Sequence, residues 1–178
     1  MNILITGAQG QLGRCLIGNL NGLEEKHNIL THTRKMCDLR NVNELFRIFE
    51  KDVINLIIHT AAYTDVAKSN SDHEKVFRDN ILASVNVMSL GLSKRAKLAY
   101  ISTDFVFDGS QGNYKTTDKI NPQTVYAKTK ASIELAMSTY INSLIIRTSF
   151  FGYAFPFEKA CRDRYTSKDY VDIIAPKI

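Results

Sequence analysis

A doubly wound α/β fold, a parallel sheet with helices on both faces, is the class predicted by this 178-residue chain. Three observations predict it. Short apolar runs rich in β-branched residues alternate with helical patterns along the chain. The runs are continuously apolar, as expected of strands covered on both faces. Three glycines, Gly7, Gly10 and Gly13, come directly after the first of them.

Taken in order, the first strand is expected at 2–6 (NILIT), with a glycine turn and a helix near 11–22 after it. The second strand reads at 28–32 (NILTH) and the next helix near 41–52, with Asn41 as its cap. A third strand is expected at 54–61 (INLIIHTA), then a helix near 72–95 with Ser71 placed to cap it. The fourth strand is expected at 97–103 (KLAYIST) and a polar surface loop at 108–123. A last helix near 122–140 takes Pro122 in its first turn, and a fifth strand is expected at 143–149 (SLIIRTS). Strict alternation implies right-handed βαβ crossovers.

Composition is that of an ordinary globular protein, 44% apolar and 23% charged. The net charge of +5 is spread in basic runs no longer than two residues, as at Arg34–Lys35. No nucleic-acid partner is therefore expected; a cationic pocket for an anionic nucleotide accounts for the bias. No apolar run reaches membrane-spanning length, so no membrane partner is expected. Cys15, Cys37 and Cys161 form no CxxC pair, which suits a reducing, cytoplasmic setting. His27, His32, His59 and His73 lack metal-site spacing, and no metal is expected.

The glycines carry the first chemistry. Between a strand and a helix, Gly7 permits the tight turn, Gly10 lets backbone approach a pyrophosphate, and Gly13 lets helix pack on strand. The helix N-terminus then offers N–H groups to the phosphates. At the end of the second strand, NAD binders place a carboxylate for the ribose 2′-hydroxyl. Here His32, Thr33, Arg34 and Lys35 stand instead. The cations favour a 2′-phosphate, hence NADP(H), and leave NAD(H) open.

Tyr126 is the only one of eight tyrosines with a lysine, Lys130, four positions on. On a helix the two share a face. An ammonium beside a phenol is expected to lower its pKa, making Tyr126 a general acid toward a carbonyl oxygen. Ser102 and Thr103 end the fourth strand, where ligands of doubly wound sheets bind, and a hydroxyl there can hold the same oxygen.

Five stretches, "ILITGAQGQLG", "HTAAYTDV", "ISTDFVFDG", "VYAKTK" and "IIRTSFFG", occur in this order. Together they resemble the extended short-chain dehydrogenase/reductases, and among these the dTDP-4-dehydrorhamnose reductases most. The resemblance implies a Rossmann dinucleotide-binding domain at 1–152. It also implies the start of a truncated or reduced substrate-binding lobe at 153–178, most of that lobe being absent. It places Gly7, Gln9, Gly10, Gln11 and Leu12 on the cofactor phosphates; Arg34 joins the cofactor residues through the cationic end of the second strand. Asp38 and Leu39 would border the adenine. Ala61, Ala62 and Tyr63 would lie along the cofactor, and Asn80, which matches the family's helix asparagine, would also touch it. Thr103, Tyr126 and Lys130 would be catalytic, the last two also touching cofactor; Asp104, Phe105 and Phe150 would face the substrate.

The implied activity is NAD(P)H-dependent reduction of a nucleotide-linked 4-keto-6-deoxy sugar in deoxysugar and cell-surface polysaccharide biosynthesis, with a homodimer among the assemblies to be expected. Two alternatives share the motifs. One is a non-catalytic NADP-binding regulatory subunit like the beta subunit of methionine adenosyltransferase. The other is a nucleotide-sugar epimerase or dehydratase. The chain departs from the reductase pattern in "AAYTDVAKSN", where Ala67 and Asn70 replace acidic positions, and in "TSFFGY", where Phe150 replaces an indole.

Overall fold

Strands β1 (Asn2–Thr6), β2 (Asn28–Thr31), β3 (Leu56–His59), β4 (Lys97–Ser102) and β5 (Ser143–Arg147) form one parallel sheet. Their order is β2-β1-β3-β4-β5. The chain leaves β1 toward one side and returns to β3 on the other, so the switch point lies between β1 and β3. The structure is a computed structural model and describes residues 1–21, 27–152, 166 and 168–178.

Side chains alternate across this sheet, and each face has its own core. Leu4, Ile57, Leu98 and Tyr100 meet Leu45, Val87, Leu90, Ile133 and Met137 on one side. On the other, Ile3, Ile5, Ile58, Ala99 and Ile101 meet Leu12 and Leu16. That two-sided burial is why the strands read as unbroken apolar runs. It is complete only for the central strands. At the sheet's two edges, β2 and β5 are half covered, and Leu144 of β5 is 58% exposed.

Helix α1 (Gln11–Leu20) ends two residues short of expectation, and residue 22 lies outside the described residues. Helix α2 (Val42–Ile48) is shorter than the 41–52 pattern, but its cap is as expected: Asn41 Oδ1 accepts from the Glu44 N–H at 3.2 Å. The long 72–95 pattern is interrupted. A short α3 (Val66–Ser69) precedes α4 (His73–Val76), which passes through a π-helical turn (Phe77–Leu82) into α5 (Ala83–Lys94). Ser71 does not cap it, because its hydroxyl closes the preceding turn on the Lys68 carbonyl; Asp72 holds the cap position.

Helix α6 (Val125–Met137) begins after Pro122, with Thr124 Oγ1 accepting from the Ala127 N–H at 3.1 Å. Asn121 keeps the preceding segment out of the helix: its N–H donates to the Val106 carbonyl and its amide to Asp108.

The chain beyond 152 was expected to open a separate lobe. Residues 153–165 and 167, with Cys161, lie outside the described residues. Nearer the end of the chain, β7 (Asp169–Tyr170) pairs with β6 (Phe150–Phe151) and leads into α7 (Val171–Ile174). Val171 and Ala175 belong to the same core as β1 and α1, so this end of the chain packs against the five-stranded sheet. No helix among the described residues is long and apolar enough to cross a membrane.

The turn after β1 is closed by steric necessity. Gly7 has φ +69°, and a Cβ there would lie 2.7 Å from the Ala61 backbone nitrogen. A Cβ on Gly13 would lie 2.4 Å from the Gly7 carbonyl oxygen. Gly7→Ala is expected to lose at least about 2 kcal/mol, from left-handed strain plus the overlap. Urea denaturation of the variant beside the native chain measures it, and an unchanged midpoint would contradict this packing.

Candidate active site

A cleft of about 760 Å³ opens where β1, β3 and β4 end, over the switch point, a size that ordinary cofactor sites share. Its floor at one end is the glycine turn with Gln9, Gln11 and Leu12. Gly10 is the N-cap of α1 and supplies no side-chain hydrogen bond, so among the described residues the first-turn N–H groups lack a side-chain cap. No carboxylate stands in that turn. The site therefore fits a pyrophosphate: donors without a side-chain cap, a partial positive charge, and no Cβ on Gly10 to hold a ligand away.

At the far end the wall comes from the segment after β2. Arg34, Asp38 and Leu39 line the cleft, while Lys35 is exposed and does not. Asp38 is bound by both nitrogens of an Arg40 fork, with Nε 2.9 Å from each carboxylate oxygen. The Arg40 hydrogen bonds hold its carboxyl down at about 2. Arg34 and Arg40 reach a second carboxylate, Asp79, at 3.1 and 3.2 Å, and Lys75 reaches it at 3.5 Å. Arg40, Lys75 and Asp79 escaped the sequence reading. Lys75 and Asp79 stand four apart, a helical pairing, but only the fold brings them to the arginines.

Ala61, Ala62 and Tyr63 form the edge beyond β3. Asn80 is not in the lining. Its Oδ1 accepts from the Tyr63 N–H at 2.7 Å, and its Nδ2 donates to the Tyr63 carbonyl and to Thr129 Oγ1. Placed in the π turn, it ties the cleft edge to α6; the expected cofactor contact becomes a positioning role.

Thr103, Tyr126 and Lys130 come together at the tip of β4. Thr103 Oγ1 caps the turn Asp104–Val106, accepting from the Phe105 N–H at 3.2 Å. Helix α6 is held here from outside by Ser69, whose hydroxyl accepts from the Tyr126 N–H at 3.2 Å. Lys130 is only 3% exposed, with Nζ 4.1 Å from the centre of the Tyr100 ring. Burial lowers its pKa to about 7, against a smaller opposing pull from Glu134. Tyr126 moves opposite to expectation. Burial pushes its phenol up to about 12, and a hydrogen bond with Thr103 only partly offsets that. The expected lowering by Lys130 does not appear because the same burial that raises the phenol also discharges the amine.

Behind the set, Glu134 joins three elements. It accepts from Ser102 Oγ at 2.5 Å and from the Arg147 fork at 2.8–3.1 Å. Ser102 is thus turned into a buried network, although it also borders the cleft. Phe105 and Phe150 line the cleft; Asp104 lines an adjoining cavity with Phe105. The Asp104 carboxylate accepts from Thr103 Oγ1 and from Ser149 Oγ.

Such a sheet order, with a glycine turn at the switch point and a threonine, tyrosine and lysine gathered beside it, defines a Rossmann domain of the extended short-chain dehydrogenase/reductase type. More narrowly, the chain belongs to the RmlD substrate binding domain family, whose profile matches residues 1–175. A dTDP-4-dehydrorhamnose reductase of Aggregatibacter actinomycetemcomitans is 34% identical over 182 aligned positions, covering 99% of this chain and 61% of the relative. The crystal structure of dTDP-4-dehydrorhamnose reductase from Bacillus anthracis in complex with NADP superposes with a TM-score of 0.81 at 30% identity. It covers 86% of this chain and 55% of that one. A Clostridium acetobutylicum ortholog gives a TM-score of 0.81 at 32% identity, over 88% and 56% of the two chains. The chain thus spans little more than half the length of these relatives.

Proposed function

We propose that this chain is the dinucleotide-binding part of an NADPH-dependent reductase acting on a nucleotide-linked 4-keto-6-deoxy sugar. The observation that carries the reading is the meeting of Thr103, Tyr126 and Lys130 in the cleft that begins at the uncapped start of α1. The NADP-bound relative and the reductases named above support it. The glycine turn with Gln9, Gln11 and Leu12 would hold the pyrophosphate; Asp38 and Leu39 would border the adenine, and Ala61, Ala62 and Tyr63 the middle of the dinucleotide.

When bound, the nicotinamide supplies a hydride to the carbonyl carbon. Tyr126 keeps its proton at neutral pH and so has one to give to the carbonyl oxygen. The Thr103 hydroxyl, already paired with that phenol, orients it, and would turn its one proton from Asp104 to the same carbonyl oxygen as charge develops there. Lys130 takes up a proton readily near pH 7, and the phenolate left by Tyr126 favours its charged form. Water then returns the proton to Tyr126. Phe105 and Phe150 would supply the apolar wall against which the deoxy sugar lies.

This reading outranks the regulatory subunit because all three chemical groups are present and converge. It outranks a dehydratase because Asp104, the candidate acid for elimination, is engaged by Ser149 and Thr103. The test is NADPH oxidation with dTDP-4-keto-6-deoxy-mannose, followed at the nicotinamide absorbance. One alcohol formed per NADPH is expected; no oxidation with any nucleotide keto sugar defeats the assignment.

A further inference from the structure

The tip of β2, His32 to Lys35, lacks the carboxylate with which NAD binders hold a ribose 2′-hydroxyl, and the Asp38 carboxylate farther along is taken up by Arg40; yet the cleft wall there is not purely cationic. Asp79 reaches it from the π turn, its carboxylate only 5% exposed. Three cations converge on that one group, Arg34 at 3.1 Å and Arg40 at 3.2 Å from the connection after β2, and Lys75 at 3.5 Å from α4. All four residues line the cleft. Arg34 and Lys75 keep most of their freedom, with side chains 63% and 43% exposed, so they can follow an anion placed beside them.

We propose that Asp79 sets the cofactor preference of this cleft: its carboxylate occupies the cationic seat that a ribose 2′-phosphate would take. The inference rests on the dinucleotide reading above. A 2′-phosphate and the Asp79 carboxylate compete for the same guanidinium groups and repel each other across a short distance. A free 2′-hydroxyl does neither. It can donate to Asp79 as it would to the carboxylate that ordinarily ends β2. Asp79 therefore narrows the advantage of phosphorylated over unphosphorylated dinucleotide, and Lys75 and Arg34 widen it.

Two small probes isolate the phosphate: adenosine 2′,5′-bisphosphate and adenosine 5′-monophosphate, titrated calorimetrically into the full chain. Asp79→Asn keeps the shape and removes the competing charge. It is expected to raise the affinity ratio of bisphosphate to monophosphate about tenfold, roughly one charge-assisted hydrogen bond. Lys75→Met and Arg34→Ala are expected to lower the ratio by a similar factor. If both probes bind and the ratio in folded Asp79→Asn stays within about twofold of native, the inference is overturned while the dinucleotide reading stands. If Asp79→Asn does not fold, a ratio unmoved by both cation variants overturns it equally. If neither probe binds the native chain, the dinucleotide reading falls and takes this one with it.

Discussion

Tyr126→Phe is expected to cut carbonyl reduction by about 10²–10⁴-fold, the usual worth of a positioned general acid. The substitution removes one oxygen and leaves the ring in place. The ring stays where α6 holds it, since the Tyr126 N–H bond to Ser69 Oγ and the Thr124 cap do not involve the phenol and Phe retains both. Dinucleotide affinity should therefore change little while turnover collapses, a split that separates chemistry from binding. The two are read independently, by quenching of protein or nicotinamide fluorescence and by single-turnover absorbance. A variant that still turns over at a tenth of the native rate would remove Tyr126 from the proton path.

The second large effect is on stability, and it comes from Lys130. Its folded pKa of about 7 lies well below the value of about 10.4 that the unfolded chain would show. Between those values the unfolded chain binds the extra proton and the folded chain does not, so stability rises with pH through that window. The contribution is complete above the upper value and is lost as pH falls through the lower one. Because the group is fully enclosed, the gain amounts to several kcal/mol across the window. Buried His59, depressed to about 3, acts at more acidic pH, and Cys37, raised by burial, opposes only above its ordinary range. Urea midpoints between about pH 7 and 8.5 therefore report Lys130 most directly. The native chain should gain stability over that range and Lys130→Met should be nearly flat. Parallel curves for the two would show that the amine keeps its charge inside the fold.

Local features were the ones legible in the chain alone. The β1 run, the glycine turn and the start of α1 arise from adjacent residues, and all sit as expected. The Asn41 cap was legible for the same reason: the acceptor and the helix it closes are contiguous. Ser71 and Pro122 misled because better-placed neighbours, Asp72 and Thr124, hold those positions once the flanking turns form. Continuous apolar runs announced burial on both faces but not which strands lie at the edges, which depends on sheet order. That Thr103, Tyr126 and Lys130 meet at one cleft was legible, whereas the sign of the Tyr126 shift was not. Helical spacing shows that a phenol and an amine are neighbours; it does not show how little water reaches them. The Arg34, Arg40, Lys75 and Asp79 group was hidden for a topological reason, since it joins two distant segments that only the fold brings together.

With Gly10 as its boundary and no side chain among the described residues closing it, helix α1 is left unfinished at its front end. A bound diphosphate would complete it, so ligand recognition and local folding there are the same free energy counted once. Any substitution that closes the helix from within, such as a self-sufficient serine at the boundary, would make the empty protein sturdier and the occupied one less favoured by a comparable amount. A loop built to grip phosphate must stay slightly unsatisfied when nothing is in its grasp.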